Sequence, residues 1–101
     1  ALGPVVALQH EGFDATNLTI HCCIKRDGQT VFAESTNTNK LKRTFAELVG
    51  FLLRDNIILP GTVLLTGTCI VPPEDFTLVH GDVIEISIDE LGTLRNVVEQ
   101  L

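Results

Sequence analysis

Thr66-Gly67-Thr68 is the stretch whose residue types and order bear most directly on chemistry. A glycine between two hydroxyl residues lets a ligand approach the backbone, because no Cβ stands in the way. Backbone N–H groups and the two Thr hydroxyls can then hold a carboxylate or a ketone oxygen. The same residues also suit a tight turn at the end of a strand, and residue types alone leave both readings open. Cys69-Ile70-Val71-Pro72-Pro73 follows as an extended loop.

Other candidate groups carry less. Glu74, Asp75, Asp82, Glu85, Asp89 and Glu90 are scattered along the C-terminal half. A Mg2+ or Ca2+ site needs converging carboxylates. No local spacing gathers these, so they read as solvated charge. Cys22, Cys23 and Cys69 are an odd set for disulfides. Adjacent cysteines in a strand face opposite ways, and Cys22-Cys23 lacks the spacing of a zinc pair. Reduced thiols in a cytoplasmic protein are the expectation. His21 reads as an exposed strand histidine rather than a base. Lys40, Lys42 and Arg43 form the one basic cluster and read as the solvated approach to a helix rather than a phosphate site.

The bulk properties narrow the partners. A net charge of −6 and a pI near 4.8 count against nucleic acid, whose phosphates need clustered Lys and Arg. No run of about 18 apolar residues suggests a membrane span, and no signal-peptide pattern stands at Ala1. A length of 101 residues with 45% hydrophobic content suits one domain, residues 1–101, with a modest core.

The elements that must position Thr66-Gly67-Thr68 follow from periodicity. Leu18, Ile20, Cys22 and Ile24 alternate with Thr19, His21, Cys23 and Lys25, which predicts a strand over 18–25. Asp27-Gly28 predicts a two-residue hairpin turn, with a return strand over 29–35. After a polar loop the period changes. Leu41, Phe45, Leu48, Val49, Leu52 and Leu53 recur at three- and four-residue steps, which predicts an amphipathic helix with its stripe against the core. Thr44 and Glu47 form a capping box, so the helix is expected over about 44–55. Leu59-Pro60-Gly61 predicts a type II turn, followed by a short strand over 62–66. Val79-His80-Gly81 repeats the device ahead of a strand over 82–88, and 92–98 is the last strand. Two strands, one helix and three strands make an α+β fold, mostly β. The apolar opening segment, residues 1–8, is expected to pack onto something.

Three groups of residues carry a family resemblance across nearly the whole chain. They are Leu59-Pro60-Gly61-Thr62-Val63-Leu64-Leu65-Thr66-Gly67-Thr68, the run from His80-Gly81-Asp82-Val83 to Gly92-Thr93-Leu94-Arg95-Asn96, and the opening Gly3-Pro4. Together they resemble the C-terminal portion of the fumarylacetoacetate hydrolase family. Thr-Gly-Thr followed by Ile70-Val71-Pro72-Pro73 resembles its 2-keto-3-deoxy-sugar-acid dehydratase branch. Most members instead follow the threonine with Pro and a Gly-Val step. Val97 stands where the family has Pro and Glu90 where it has Gly, which suggests drift at turns.

The resemblance implies the C-terminal half of the family's mixed β fold, commonly a homodimer. It implies a 2-keto acid as substrate, and a hydrolase of C–C bonds or else a dehydratase, isomerase or decarboxylase (a lyase). A divalent metal is implied for the full-length enzyme, usually Mg2+, otherwise Mn2+ or Ca2+. In the family this metal holds the keto acid and stabilises the enolate. Its carboxylate ligands, a lysine and a His/Glu dyad all precede the Gly-Pro segment. No catalytic or metal-binding residue is therefore expected within residues 1–101, which alone would be inactive. Thr68 carries over as the hydroxyl contact to substrate, with Gly67 and Thr66 shaping the wall. The missing N-terminal half would come from the same chain or a partner. The rival expectations are a non-catalytic assembly module that pairs with a separate chain or oligomerises, and a thiol-based redox protein.

Overall fold

A computed structural model describes residues 2–101; Ala1, the first residue of the opening segment, lies outside it. Four strands form one antiparallel sheet. They are β1 (Thr19–Arg26), β2 (Gln29–Asn37), β3 (Val83–Ile88) and β4 (Gly92–Val97), in the order β2-β1-β3-β4. A 3-10 turn (Thr38–Lys40) and the helix α1 (Phe45–Leu53) lie between β2 and β3. The chain is thus α+β and mostly β. Among the described residues no helix is long and apolar enough to cross a membrane.

The turns behave as their residues dictate. Asp27 and Gly28 both take positive φ, 52° and 77°, as a two-residue hairpin between right-twisted strands requires. Just beyond it the β1–β2 register slips between Ile24 and Lys25, where Ile24 faces Phe32 but Lys25 faces Thr30. Val31 is the extra residue of that bulge. At Leu59-Pro60-Gly61, Gly61 sits at φ 86° and Thr62 N–H donates to the Leu59 carbonyl at 3.2 Å. Thr44 caps α1, accepting from Glu47 N–H at 3.1 Å. The Glu47 carboxylate takes the Thr44 hydroxyl at 3.2 Å rather than the cap's own N–H, a variation on the expected box. The helix ends at Leu53, two residues before the predicted end, and the Asn56 amide donates to the Leu52 and Arg54 carbonyls.

Register sorts the sheet into two faces. Ile20, Cys22 and Ile24 stand opposite Ile88, Ile86 and Ile84, so these six share one apolar face. Part of residues 3–5 lies over its β3–β4 side, and Pro72, Pro73 and Phe76 lie over Ile24 and Ile84. The other face carries paired polar side chains. His21 meets Ser35, Ser87 meets Thr93, and Lys25 pairs with Glu85 at 3.4 Å.

One expectation fails and a second holds only in part. Residues 62–66 are not a strand, because no neighbouring strand bonds to them. An apolar extended run becomes a strand only when another edge pairs with it, and periodicity cannot report that. Two strands rather than three therefore follow the helix. The helical stripe is only half covered: Leu41, Phe45, Leu48 and Leu52 are half-buried, Val49 and Leu53 are exposed, and no residue of α1 is fully buried. Among the described residues the buried apolar core is small, namely Leu18 and Ile24.

The β3–β4 turn tests the reading of Glu90 as turn drift. Leu91 N–H donates to the Ile88 carbonyl at 3.0 Å, and Glu90 at the third position has φ 67°. A type II turn wants glycine there. Glu90→Gly removes a left-handed penalty of about 1 kcal/mol and adds part of that back as backbone entropy. The expected result is a gain of about 0.5 kcal/mol in urea unfolding. A loss would show that the Glu90 side chain holds the turn.

Candidate functional site

The structure places Thr66, Gly67 and Thr68 opposite the approach to α1. Between them lies an open groove of about 600 Å³. Thr66, Gly67, Thr68 and Cys69 form one wall, and residues 40–43 form the other. The groove continues inward as a smaller pocket of about 100 Å³ walled by Ile20, Leu41, Phe45 and Ile70. Gly67 has φ 94°, a backbone conformation that glycine reaches without a Cβ penalty. That turn presents the backbone of the Thr-Gly-Thr segment to the groove. The Thr68 hydroxyl is held locally, accepting from Ile70 N–H and donating to the Ile70 carbonyl, both at 3.1 Å.

The approach to α1 is anchored to the sheet. Leu18 N–H donates to the Thr38 hydroxyl and Thr38 N–H to the Leu18 carbonyl, both at 2.9 Å. The Asn37 carboxamide accepts from Asn39 N–H at 2.9 Å and donates to the Asn17 side chain at 3.1 Å. These bonds fix where residues 38–41 leave β2, and hence where the groove's second wall begins.

The loop beyond Thr68 is fastened by a pair that sequence reading missed. The Arg26 guanidinium donates through Nε and Nη2 to the two Asp82 carboxylate oxygens, both at 2.8 Å. It also donates to the Thr77 carbonyl at 3.0 Å and lies over the Phe76 ring. Asp82 is fully buried and accepts from Val79 N–H at 3.0 Å. The Arg26 hydrogen bond, then the Val79 N–H, hold its carboxyl at about 2, against an opposing push from desolvation. The signal available was Gly81-Asp82, an acidic residue at a turn into a strand. Its partner lies 56 residues away, and local spacing cannot name it.

Cys22, Cys23 and Cys69 are free. Burial, with a smaller contribution from neighbouring Cys23, pushes the Cys22 thiol up. That is the wrong direction for an activated thiolate. His21 is exposed and pairs with Ser35. Glu85 is bound up with Lys25.

Residues 1–99 match the family described as fumarylacetoacetate (FAA) hydrolase C-terminal. The chain belongs to the fumarylacetoacetate hydrolase family. It is 42% identical over 100 residues to the 2-dehydro-3-deoxy-D-arabinonate dehydratase of Saccharolobus solfataricus, covering 99% of this chain and 34% of the relative. A probable 2-keto-3-deoxyxylonate dehydratase of Haloferax volcanii is 37% identical over 98 residues, covering 97% and 34%. A solved 2-keto-3-deoxy-D-arabinonate dehydratase, complexed with magnesium and 2,5-dioxopentanoate, superposes with a TM-score of 0.92. It is 41% identical, with 98% of this chain and 35% of that one covered. The dehydratase branch is the one that Thr-Gly-Thr with Ile-Val-Pro-Pro resembles. The chain spans about a third of the length of the relatives it matches.

The family's metal is not accommodated by this part of the fold. Among the described residues no three His, Cys, Asp or Glu side chains gather as a metal would require. The groove beside the Thr-Gly-Thr segment carries three cations and no carboxylate. By themselves the described residues therefore do not fit a Mg2+ site.

Proposed function

We propose that residues 1–101 are the substrate-facing C-terminal part of an enzyme acting on 2-keto acids, of the 2-keto-3-deoxy-sugar-acid dehydratase kind. The observation that carries this reading is the Thr66-Gly67-Thr68 wall, open to a groove that has hydroxyl and backbone donors on one side and cations on the other. Those groups suit a ligand with a carboxylate and neighbouring oxygens. The relatives' dehydratase names support the substrate class. Thr68 holds an oxygen of the bound keto acid, while Gly67 and Thr66 shape the surface against which it lies. Mg2+, or Mn2+ or Ca2+ in its place, belongs to residues beyond these 101, on the same chain or a partner. The working protein is a cytoplasmic homodimer.

The test is turnover of the complete natural protein with Mg2+ against a panel of 2-keto-3-deoxy-pentonates, acylpyruvates and oxaloacetate. Dehydration of a deoxy-sugar acid is the expected result. Cleavage of an acylpyruvate or reaction of oxaloacetate alone would move the protein to another branch, and no reaction with any of them would sink the reading.

A second reading, a non-catalytic assembly module, is favoured by one observation. Leu2, Val5, Val6 and Leu8 are exposed, as are Phe51 and Leu53 of α1. Apolar patches of this kind mark surfaces that another part covers. Light scattering on the 101-residue chain discriminates. A monodisperse monomer with unchanged helicity on dilution counts against the module, and concentration-dependent association supports it.

A further inference from the structure

The basic cluster that local sequence assigns to solvent is instead part of the groove. Lys40, Lys42 and Arg43 are three of the chain's seven Lys and Arg residues, in a chain of net charge −6. All three line the space in front of Thr66, Gly67 and Thr68, and no carboxylate lines it with them. The described ion pairs are Lys25 with Glu85 and Arg26 with Asp82, so these three charges are not neutralised by either. Their backbone is fixed by the Leu18–Thr38 and Asn37 hydrogen bonds at its start. Arg43 is further steadied over the Phe51 ring, 5.1 Å from its centre. Helix stability does not account for the placement. Cations just ahead of a helix N-terminus meet its positive dipole end, whereas acidic residues would stabilise it. The three cations therefore border the groove across from the Thr-Gly-Thr segment.

We propose that Lys40, Lys42 and Arg43 are the carboxylate-recognising wall of the Thr-Gly-Thr groove and set its preference for anionic over neutral ligands. This rests on the reading of that segment as the substrate wall and adds to it the residues that select charge. The ligand class is a small carboxylic acid with an adjacent oxygen, its carboxylate towards residues 40–43 and its other oxygens towards Thr68.

The test is calorimetric titration of the complete protein with pyruvate and, separately, with methyl pyruvate, which has the same oxygens but no carboxylate. Both titrations are run with and without Mg2+. The Lys40→Gln, Lys42→Gln and Arg43→Gln variants, singly and combined, are compared with wild type and with Thr68→Val. Circular dichroism confirms that each is folded, and the single variants carry the test if the triple one is not. Each charge removed is expected to weaken pyruvate binding several-fold, and the three together by tenfold or more. Methyl pyruvate binding is expected to stay unchanged, and the pyruvate affinity of wild type to fall with added salt. Thr68→Val weakens both ligands. If the charge variants keep wild-type pyruvate affinity while Thr68→Val loses it, the cationic wall is overturned and the substrate wall stands. If Thr68→Val also binds normally, or wild type binds neither ligand at millimolar concentration, both are overturned.

Discussion

Asp82→Asn lowers the melting temperature of the protein by about 10 °C or more, measured by circular dichroism or calorimetry. The substitution keeps the shape of the side chain and removes its charge. Asp82 is fully buried, and its two oxygens receive the Arg26 fork and the Val79 N–H. With Asn in place, Arg26 faces an amide that cannot accept at both positions, and a partly exposed guanidinium loses its counter-ion. The loss spreads to the loop, because Arg26 also holds the Thr77 carbonyl and packs over Phe76. Arg26→Lys is expected to rescue little, since an ammonium cannot make the two-pronged contact.

Acid reproduces part of this effect in the unaltered protein. The folded Asp82 carboxyl sits at about 2, below its ordinary 3.8, chiefly through the Arg26 hydrogen bond. The folded state thus binds this proton more weakly than the unfolded chain. The stabilisation is complete above about pH 4 and is lost as pH falls from there through about 2. An acid titration of the wild type should show this loss, and Asp82→Asn should show less of it. Equal acid sensitivity in the two proteins would place the acid-labile pair elsewhere.

On the proposed reading, Thr68→Val reduces kcat/KM of the complete protein on a 2-keto acid by roughly 100-fold, the scale of losing a donor to a charged oxygen. Thr68→Ser keeps the hydroxyl and is expected within a few-fold of wild type. The comparison matters because the Thr68 hydroxyl also braces the backbone of Ile70. If the hydroxyl served only that local turn, Thr68→Val would lower thermal stability and leave kcat/KM nearly intact. Gly67→Ala is a second probe of the same wall. Space exists for the added Cβ, with nothing within 4 Å, but φ of 94° does not suit alanine. The turn must distort, and activity should fall even though no contacting group is removed.

Much of the local structure was legible in residue types. Asp27-Gly28, Leu59-Pro60-Gly61 and the Thr44–Glu47 cap were readable because each depends on a few neighbouring dihedrals and one nearby hydrogen bond. The β1, β2, β3 and β4 strands emerged within two residues of their predicted bounds, and the apolar face of the sheet followed from alternation. The family resemblance rested on Thr-Gly-Thr and Gly-Thr-Leu-Arg-Asn at their spacing, and the structural match bears it out.

What the sequence by itself determined, then, was every feature whose cause lies within a turn or two of chain: caps, hairpins, strand periodicity and the segment most able to meet a ligand. Only the tertiary structure decided three things. Residues 62–66 stay unpaired, the helical stripe is only half covered, and Lys40, Lys42 and Arg43 border the groove in front of Thr66-Gly67-Thr68. Arg26 and Asp82, 56 residues apart, belong to the same class. The physical reason is common to all of them. A strand needs another edge, a stripe needs a covering surface, and a charge needs whatever the fold brings opposite it. Each of those partners is set by long-range chain geometry, which periodicity and residue type do not encode.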